Sequence, residues 1–263
     1  MNWMKYRTLY FVISAIFIGV GIFSMITWGF KIGIDFTGGV VAEYKFSNGE
    51  NKVFRYAPLS NEESEEIRFD FKSQGATEVR FESVGPSIGP ELIKKTIYAL
   101  IVSAGLILLW VAYQFKSIKF GISATLATLH DSLILLGMFS LLGHFFGAEV
   151  DFLFVTAMLT ILSFSVHDTI VVYDRIRESQ RKVGGNLRDL ANKALSETMV
   201  RSLNNSFTII FMLFALILMG GETTKWFATA LLIGTISGTY SSPFVAVPIL
   251  VAWDELEKKL KRK

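Results

Sequence analysis

FLFVTAMLTILSFSVHDTIVVY, residues Phe152–Tyr173, is an apolar run of 22 residues with a histidine and an aspartate set into its final third. A helix of that length reaches about 33 Å at 1.5 Å per residue, enough to cross the roughly 30 Å hydrocarbon core of a bilayer. His167 and Asp168 are then ionisable groups inside lipid. An ionised side chain at a helix centre costs about 2.5–3.5 kcal/mol on insertion scales, so it demands a partner or a function. Asp168 lies six residues before Asp174, where the next charges begin. That puts it about 9 Å inside the span, too deep for so short a side chain to reach the headgroups.

Five further runs surround this one: Thr8–Trp28, Ile97–Tyr113, Gly121–Leu142, roughly Met199–Met219 and Phe227–Trp253. Over the 263 residues, 51% are apolar and only 19% charged, and the mean hydropathy is +0.45. A soluble domain carries about 25% charge. The sequence therefore reads as an α-helical polytopic membrane protein with six spans. The first run is too long for a cleavable signal and no A-x-A site follows it, so it reads as a retained span.

An even number of spans puts both termini on one side, and lysine and arginine select it. Basic residues collect at the N-terminus (Lys5, Arg7), in 114–120 (Lys116, Lys119), throughout 174–198, and in the tail from Lys258 to Lys263. The intervening stretch 144–151 has none, and 220–226 has only Lys225. Both termini are expected in the cytoplasm. The net charge of +3 is thus spread over loops and not gathered on a soluble face, which argues against nucleic acid as a partner. With no cysteine there is no disulfide.

The expected organisation is a cytoplasmic N-terminus with the first span (1–29), a small extracytoplasmic α+β domain (30–96), five spans (97–253) with a cytoplasmic loop at 174–198, and a basic tail (254–263). Within the small domain Val40–Phe46 and Glu78–Val84 read as strands. Ser60 with Glu63 reads as a capping box opening a helix that Gly75 closes. So small a core suggests a platform leaning on a partner domain more than an enzyme. In the 174–198 loop, Gly184 and Gly185 break the chain and Asn186 can cap a helix. There Leu187, Leu190, Ala191, Ala194 and Leu195 form an apolar stripe, suited to the membrane interface, to a neighbouring helix, or to a connector holding spans four and five in register.

Other polar residues fall inside the spans. The third holds His130 and Asp131 near its middle, with Thr125 and Thr128 on the same side. The fifth cannot cross without including Arg201, Asn204 and Asn205, which with Thr208 fall at i, i+3, i+4 and i+7 on one face. Asp168 and Arg201 come at similar depth on consecutive helices. A carboxyl there that is charged against a cation in one state and neutral in another can carry a proton; the alternatives are an aspartate acting as interhelical glue and an arginine reaching for the interface. In the sixth span Gly234, Gly238 and Ser242 form a small-residue stripe for close packing, and Pro243 and Pro248 predict a kink.

Enzyme chemistry finds no support. GIDFTGG, Gly33–Gly39, has glycines at the phosphate-loop spacing, but Gly39 stands where the loop needs lysine. The two His-Asp pairs lack H-E-x-x-H spacing, and adjacent residues point to different helix faces, so a metal hydrolase is not indicated.

In order along the chain, GIDFTGG after the first span, SVGP from Ser83, HD at His130–Asp131, SVHDTIVVYDRIRE from Ser165 to Glu178 and RSLNNS from Arg201 resemble the SecF family of protein-export membrane subunits, related to the RND exporters. The resemblance implies that the six spans are half of an RND-type twelve-helix unit completed by SecD. It implies an accessory complex of the SecY/SecE/SecG translocon in a prokaryotic plasma membrane, in contact with membrane lipid, where a proton or sodium gradient drives late steps of preprotein export. No cofactor, metal or nucleotide hydrolysis is implied. It assigns the ion path to Asp168 and Arg201 and matches Asp131 to the family's third-span aspartate; His167 beside Asp168, and Asn204 and Asn205 on the face of Arg201, are the further candidates for that path. Its motif positions are Gly33, Asp35, Phe36, Gly38 and Gly39, and Asp174, Arg175, Arg177 and Glu178. Two features depart from the family: His167 stands where asparagine is common, and the external domain has room for one helix. The other readings are an RND-type exporter half for small molecules or lipids, and a passive scaffold.

Overall fold

A computed structural model describes residues 2–85 and 88–261. Pro86, which closes SVGP, and the tail residues Arg262 and Lys263 lie outside the described residues. In chain order the elements are α1 (Arg7–Thr27), α2 (Ile34–Thr37), β1 (Gly39–Lys45), β2 (Asn51–Tyr56), α3 (Asn61–Ser73), β3 (Thr77–Val84), α4 (Ile88–Phe115), α5 (Ile118–Phe146), α6 (Phe152–Val183), α7 (Leu187–Met219), α8 (Glu222–Ser241), a π-helical turn at Ser242–Ala246 and α9 (Val247–Leu260). Among the described residues six helical segments are long and apolar enough to cross a membrane, α8 to α9 counting as one. The chain divides into two units, the smaller comprising Ile32–Ala99 with Val150–Phe152.

The smaller unit is an antiparallel sheet of order β2-β1-β3, with α3 packed on one face. Alternation along β1 sends Ala42 and Tyr44 toward Phe71 of α3, and the Tyr44 and Phe71 rings stack at 4.2 Å. The capping box forms as read: Glu63 N donates to Ser60 Oγ at 3.2 Å, and Ser60 N donates to Glu63 Oε2 at 2.7 Å. Sequence reading passed over β2, whose run NKVFRY breaks its apolar pattern with Lys52 and Arg55. Its signal was the preceding Asn48-Gly49, where Gly49 takes φ +84° in the hairpin.

The larger unit is a helical bundle joined by close glycine contacts. Gly21 of α1 meets Gly137 of α5 so closely that a Cβ on Gly21 would stand 3.0 Å from the Gly137 Cα. Gly234 of α8 lies against Ile161 of α6, where an added Cβ would collide with that side chain, and Gly238 lies against Ser165, where a Cβ would stand 3.2 Å from the serine Cβ. Without a hydrophobic force between helices in lipid, this proximity is what dispersion and interhelical hydrogen bonds need.

The segment 174–198 is not a loop. α6 runs on to Val183 and α7 begins at Leu187, so only 184–186 connect two continuous helices. Its stripe of Leu187, Leu190, Ala191, Ala194 and Leu195 is buried against Tyr173 and Ile176 of α6, Leu250 and Val251 of α9, and Met4. A neighbouring-helix contact thus explains that stripe. At the same basic end Arg7 pairs with Glu255 at 2.6 Å, and Lys119 pairs with Glu257.

The kink predicted in the sixth span takes the form of the π-turn. Pro243 has no N–H to give, and the wider turn leaves carbonyls to be satisfied from outside. Tyr173 Oη donates to the carbonyl of Ala246, the last residue of the turn, at 3.3 Å.

Candidate functional site

Two buried aspartates define the centre of the bundle, and hydroxyl side chains surround both. Asp168 on α6 is 5% exposed. Ser202 Oγ on α7 lies 2.8 Å from its Oδ1 and 2.7 Å from its Oδ2. Ser242, the first residue of the π-turn, bonds the Ser165 carbonyl at 3.1 Å and Thr169 Oγ1 at 2.9 Å on α6. One hydroxyl hydrogen serves only one oxygen at a time, so the carboxyl is incompletely coordinated. No cation among the described residues pairs with it.

Asp131 on α5 is differently held. It is fully buried and takes Ser237 Oγ on Oδ1 at 2.6 Å, and Ser165 Oγ and Ser241 Oγ on Oδ2 at 2.6 Å each. His130 Nδ1 lies 3.1 Å from Oδ1. Two carboxylate oxygens offer about four acceptor positions; three hydroxyls fill three of them, and His130 fills the fourth in its Nδ1–H tautomer. The far nitrogen of the ring, His130 Nε2, is buried with no hydrogen-bond partner among the described residues.

The two sites share helices. Ser165 donates to Asp131 three residues before Asp168, and its carbonyl accepts from Thr169 Oγ1 at 3.0 Å and Ser242 Oγ at 3.1 Å. One turn further along α7, Ser206 Oγ donates to the Ser202 carbonyl at 3.0 Å and accepts from Thr239 Oγ1 of α8 at 2.6 Å.

Arg201 does not face Asp168. One step along α7 turns the chain about 100°, so the buried Ser202 meets the aspartate while Arg201 is exposed with Asn204, Asn205 and Thr208. His167 also points away from the interior, into a groove between α4 and α6 walled by Trp110, Ser103 and Ser163. With Thr156, Thr160 and Ser163 it forms a second exposed polar stripe. The residues that sequence reading missed are Ser202, Ser237 and Ser241. Their signal was hydroxyls at i, i+4 within apolar runs, as in Ser202/Ser206 and Ser237/Ser241.

The motif residues hold the framework. Arg177 donates to the Gln114 carbonyl at the end of α4 at 2.8 Å, pairs with Asp174 at 2.7 Å and lies over the Phe115 ring. Arg175 bridges Glu178 and Glu197, joining α6 to α7. In GIDFTGG, Asp35 Oδ2 accepts from Phe152 N at 2.9 Å, capping α6 from outside the helix. Gly33 N donates to Val150 O at 2.9 Å, and Gly39, at φ +125°, lies against the Tyr56 carbonyl. Phe36 packs its backbone on Gly89.

Six spans around buried, hydroxyl-bonded carboxyls define a membrane transport unit. The chain matches the family described as protein export membrane protein SecD/SecF, C-terminal, over residues 64–256. It is 37% identical to the protein translocase subunit SecF of Thermobaculum terrenum, over 95% of this chain and 93% of that one. With the SecF of Sebaldella termitidis the identity is 34%, over 99% and 94%. The crystal structure of SecDF from Thermus thermophilus, described as a translocon-associated membrane protein, superposes with a TM-score of 0.87 at 31% identity. That match covers 97% of this chain and 39% of the longer SecDF chain. The chain belongs to the SecD/SecF protein-export membrane family, as a relative of its SecF subunits.

Proposed function

We propose that this chain is the SecF half of an ion-driven accessory to the Sec translocon, and that Asp168 carries the coupling ion. The observation that supports this most is the incomplete coordination of a buried carboxyl inside a bundle of membrane spans: the Ser202 hydroxyl holds Asp168 and no cation among the described residues pairs with it. Such a group can take up a proton from one side and give it to the other. One elementary charge crossing the membrane supplies about 2.3 kcal/mol per 100 mV. That is enough to bias a domain motion between states of similar energy, and no nucleotide is hydrolysed.

SecD is the partner that completes the unit. Arg201, Asn204 and Asn205 on α7, and Thr160, Ser163 and His167 on α6, are exposed at depths where hydrocarbon would leave them unsatisfied. Helices of SecD covering these faces give Arg201 its counter-charge and shield Asp168. Both termini and the helical 174–198 segment lie in the cytoplasm, the small α+β unit on the other side, and the cargo is a preprotein emerging from SecY/SecE/SecG. The test is Asp168→Asn in vesicles containing the whole complex, reading gradient-dependent release of a preprotein.

A further inference from the structure

We propose that Asp131 is a positioning residue and not a second ion carrier: it anchors α8 on α5 and α6, and so sets the π-turn hydroxyl of Ser242 against the stretch of α6 that carries Asp168. This rests on the reading of Asp168 as the carrier.

The two carboxyls differ in how fully they are bonded. Asp131 has four polar partners, from α5 (His130), α6 (Ser165) and α8 (Ser237 and Ser241), at 2.6–3.1 Å. A carboxylate saturates at about that number, and a proton arriving on it would compete with a donor already in place. Asp168 has one hydroxyl, that of Ser202, while Ser242 bonds Thr169 Oγ1 at 2.9 Å and the Ser165 carbonyl at 3.1 Å on α6. A carrier needs the second kind of site.

The stretch 237–242 ties the two together. Ser237 and Ser241, one helical turn apart, both grip Asp131, and the next residue, Ser242, starts the π-turn and bonds the Ser165 carbonyl and Thr169 Oγ1, which flank Asp168 on α6. On α6, Ser165 binds Asp131 with its hydroxyl and Ser242 with its carbonyl. Asp131 therefore fixes the last α-helical residue before the turn, and the turn itself, with its wider hydrogen-bond spacing, is the part free to change register. π-turns inside α-helices mark such places. Of the titratable groups on the packed helices, His130 touches Asp131, Tyr240 of α8 stacks beside His130 at 6.2 Å, and Asp168 lies one turn along α6. Nothing cationic from α6 or α8 meets it among the described residues.

The experiment compares Asp131→Asn, Ser241→Ala and Asp168→Asn with the unaltered chain, each assembled with SecD and the translocon in membrane vesicles. It reads gradient-driven preprotein release across a range of pH. Asparagine at 131 puts an amide donor against hydroxyl donors, and alanine at 241 removes one of the four and leaves three. Both are expected to keep gradient-dependent release while displacing the pH of half-maximal release by about half a unit or more, the scale of one misplaced hydrogen bond at a carboxyl. If Asp131→Asn abolishes release in an assembled complex as Asp168→Asn does, Asp131 is a carrier and the proposal falls. Slower release at an unmoved midpoint in both variants makes Asp131 mere packing, which also overturns it. Where Asp131→Asn does not assemble, Ser241→Ala decides on the midpoint alone. Release that survives Asp168→Asn refutes the underlying reading, an outcome recognised without reference to either 131 or 241.

Discussion

Ser202 Oγ on α7 stands 2.8 and 2.7 Å from the two carboxylate oxygens of Asp168 on α6, a contact between consecutive helices at the centre of the bundle. The hydroxyl can donate to an ionised carboxyl and accept from a protonated one, because it has both a hydrogen and lone pairs. It therefore stays bonded through a protonation cycle without either helix moving away.

Ser202→Ala removes that adaptable partner and leaves Asp168 in place. A buried hydrogen bond to a charged group is worth about 1.5–3 kcal/mol. The variant is expected to insert and assemble, with preprotein release at a given gradient slowed severalfold. Vesicle release at fixed gradient measures it, and an unchanged rate would detach Ser202 from the ion site.

Arg201 is exposed in this chain, so Arg201→Gln should leave the thermal stability of the isolated chain in detergent within about 0.5 kcal/mol. In the complex with SecD the same substitution is expected to abolish gradient-dependent release. A large stability loss in the isolated chain would show that Arg201 serves its own bundle.

At Gly137 an added side chain would overlap the Gly21 backbone, so Gly137→Val must push α1 off α5. Forcing extra carbons into a close contact costs typically about 1–3 kcal/mol. The expected result is a lower unfolding temperature and less chain recovered from membranes, while Gly19→Val, with nothing within 4 Å, should be tolerated.

The Ser60–Glu63 capping box makes a pH prediction outside the membrane. Glu63 accepts from the Ser60 backbone N–H and is bonded to its side chain, which holds its carboxyl below the ordinary range. The folded value is the lower one, so the contribution of this bond is complete above the unfolded value of about 4.3 and is lost as the pH falls through the folded value. A carbon-13 titration of the Glu63 carboxyl should give a midpoint below that ordinary value, and Ser60→Ala should raise it. An ordinary midpoint in the unaltered chain would mean the box does not hold in solution.

Much of this arrangement is legible from residue order. Run length fixes the spans, Ser60 and Glu63 announce α3, and the depth of Asp131 and Asp168 marks the polar centre. What stays hidden depends on helix rotation. Arg201 and Ser202 are neighbours in sequence, and charge makes the arginine the obvious counterpart of Asp168. Only the packing of α7 on α8 and α9, set by Leu213, Ser206 and the stripe from Leu187 to Leu195, turns the serine inward. The cage around Asp131 is hidden for the same reason, since Ser165, Ser237 and Ser241 come from two helices whose rotation single-sequence patterning does not specify. The 174–198 segment looked like a loop because its charges mask a continuous helical stripe.

The most direct test of the account is gradient-driven release of a preprotein from vesicles carrying the Asp168→Asn chain, assembled with SecD and the translocon. Asparagine preserves the shape and the bond to Ser202 but cannot take up or give back a proton at neutral pH. The account predicts normal insertion and assembly with release reduced to the level seen without a gradient. Release that still follows the gradient in that complex would contradict it and leave Asp168 a structural contact between α6 and α7.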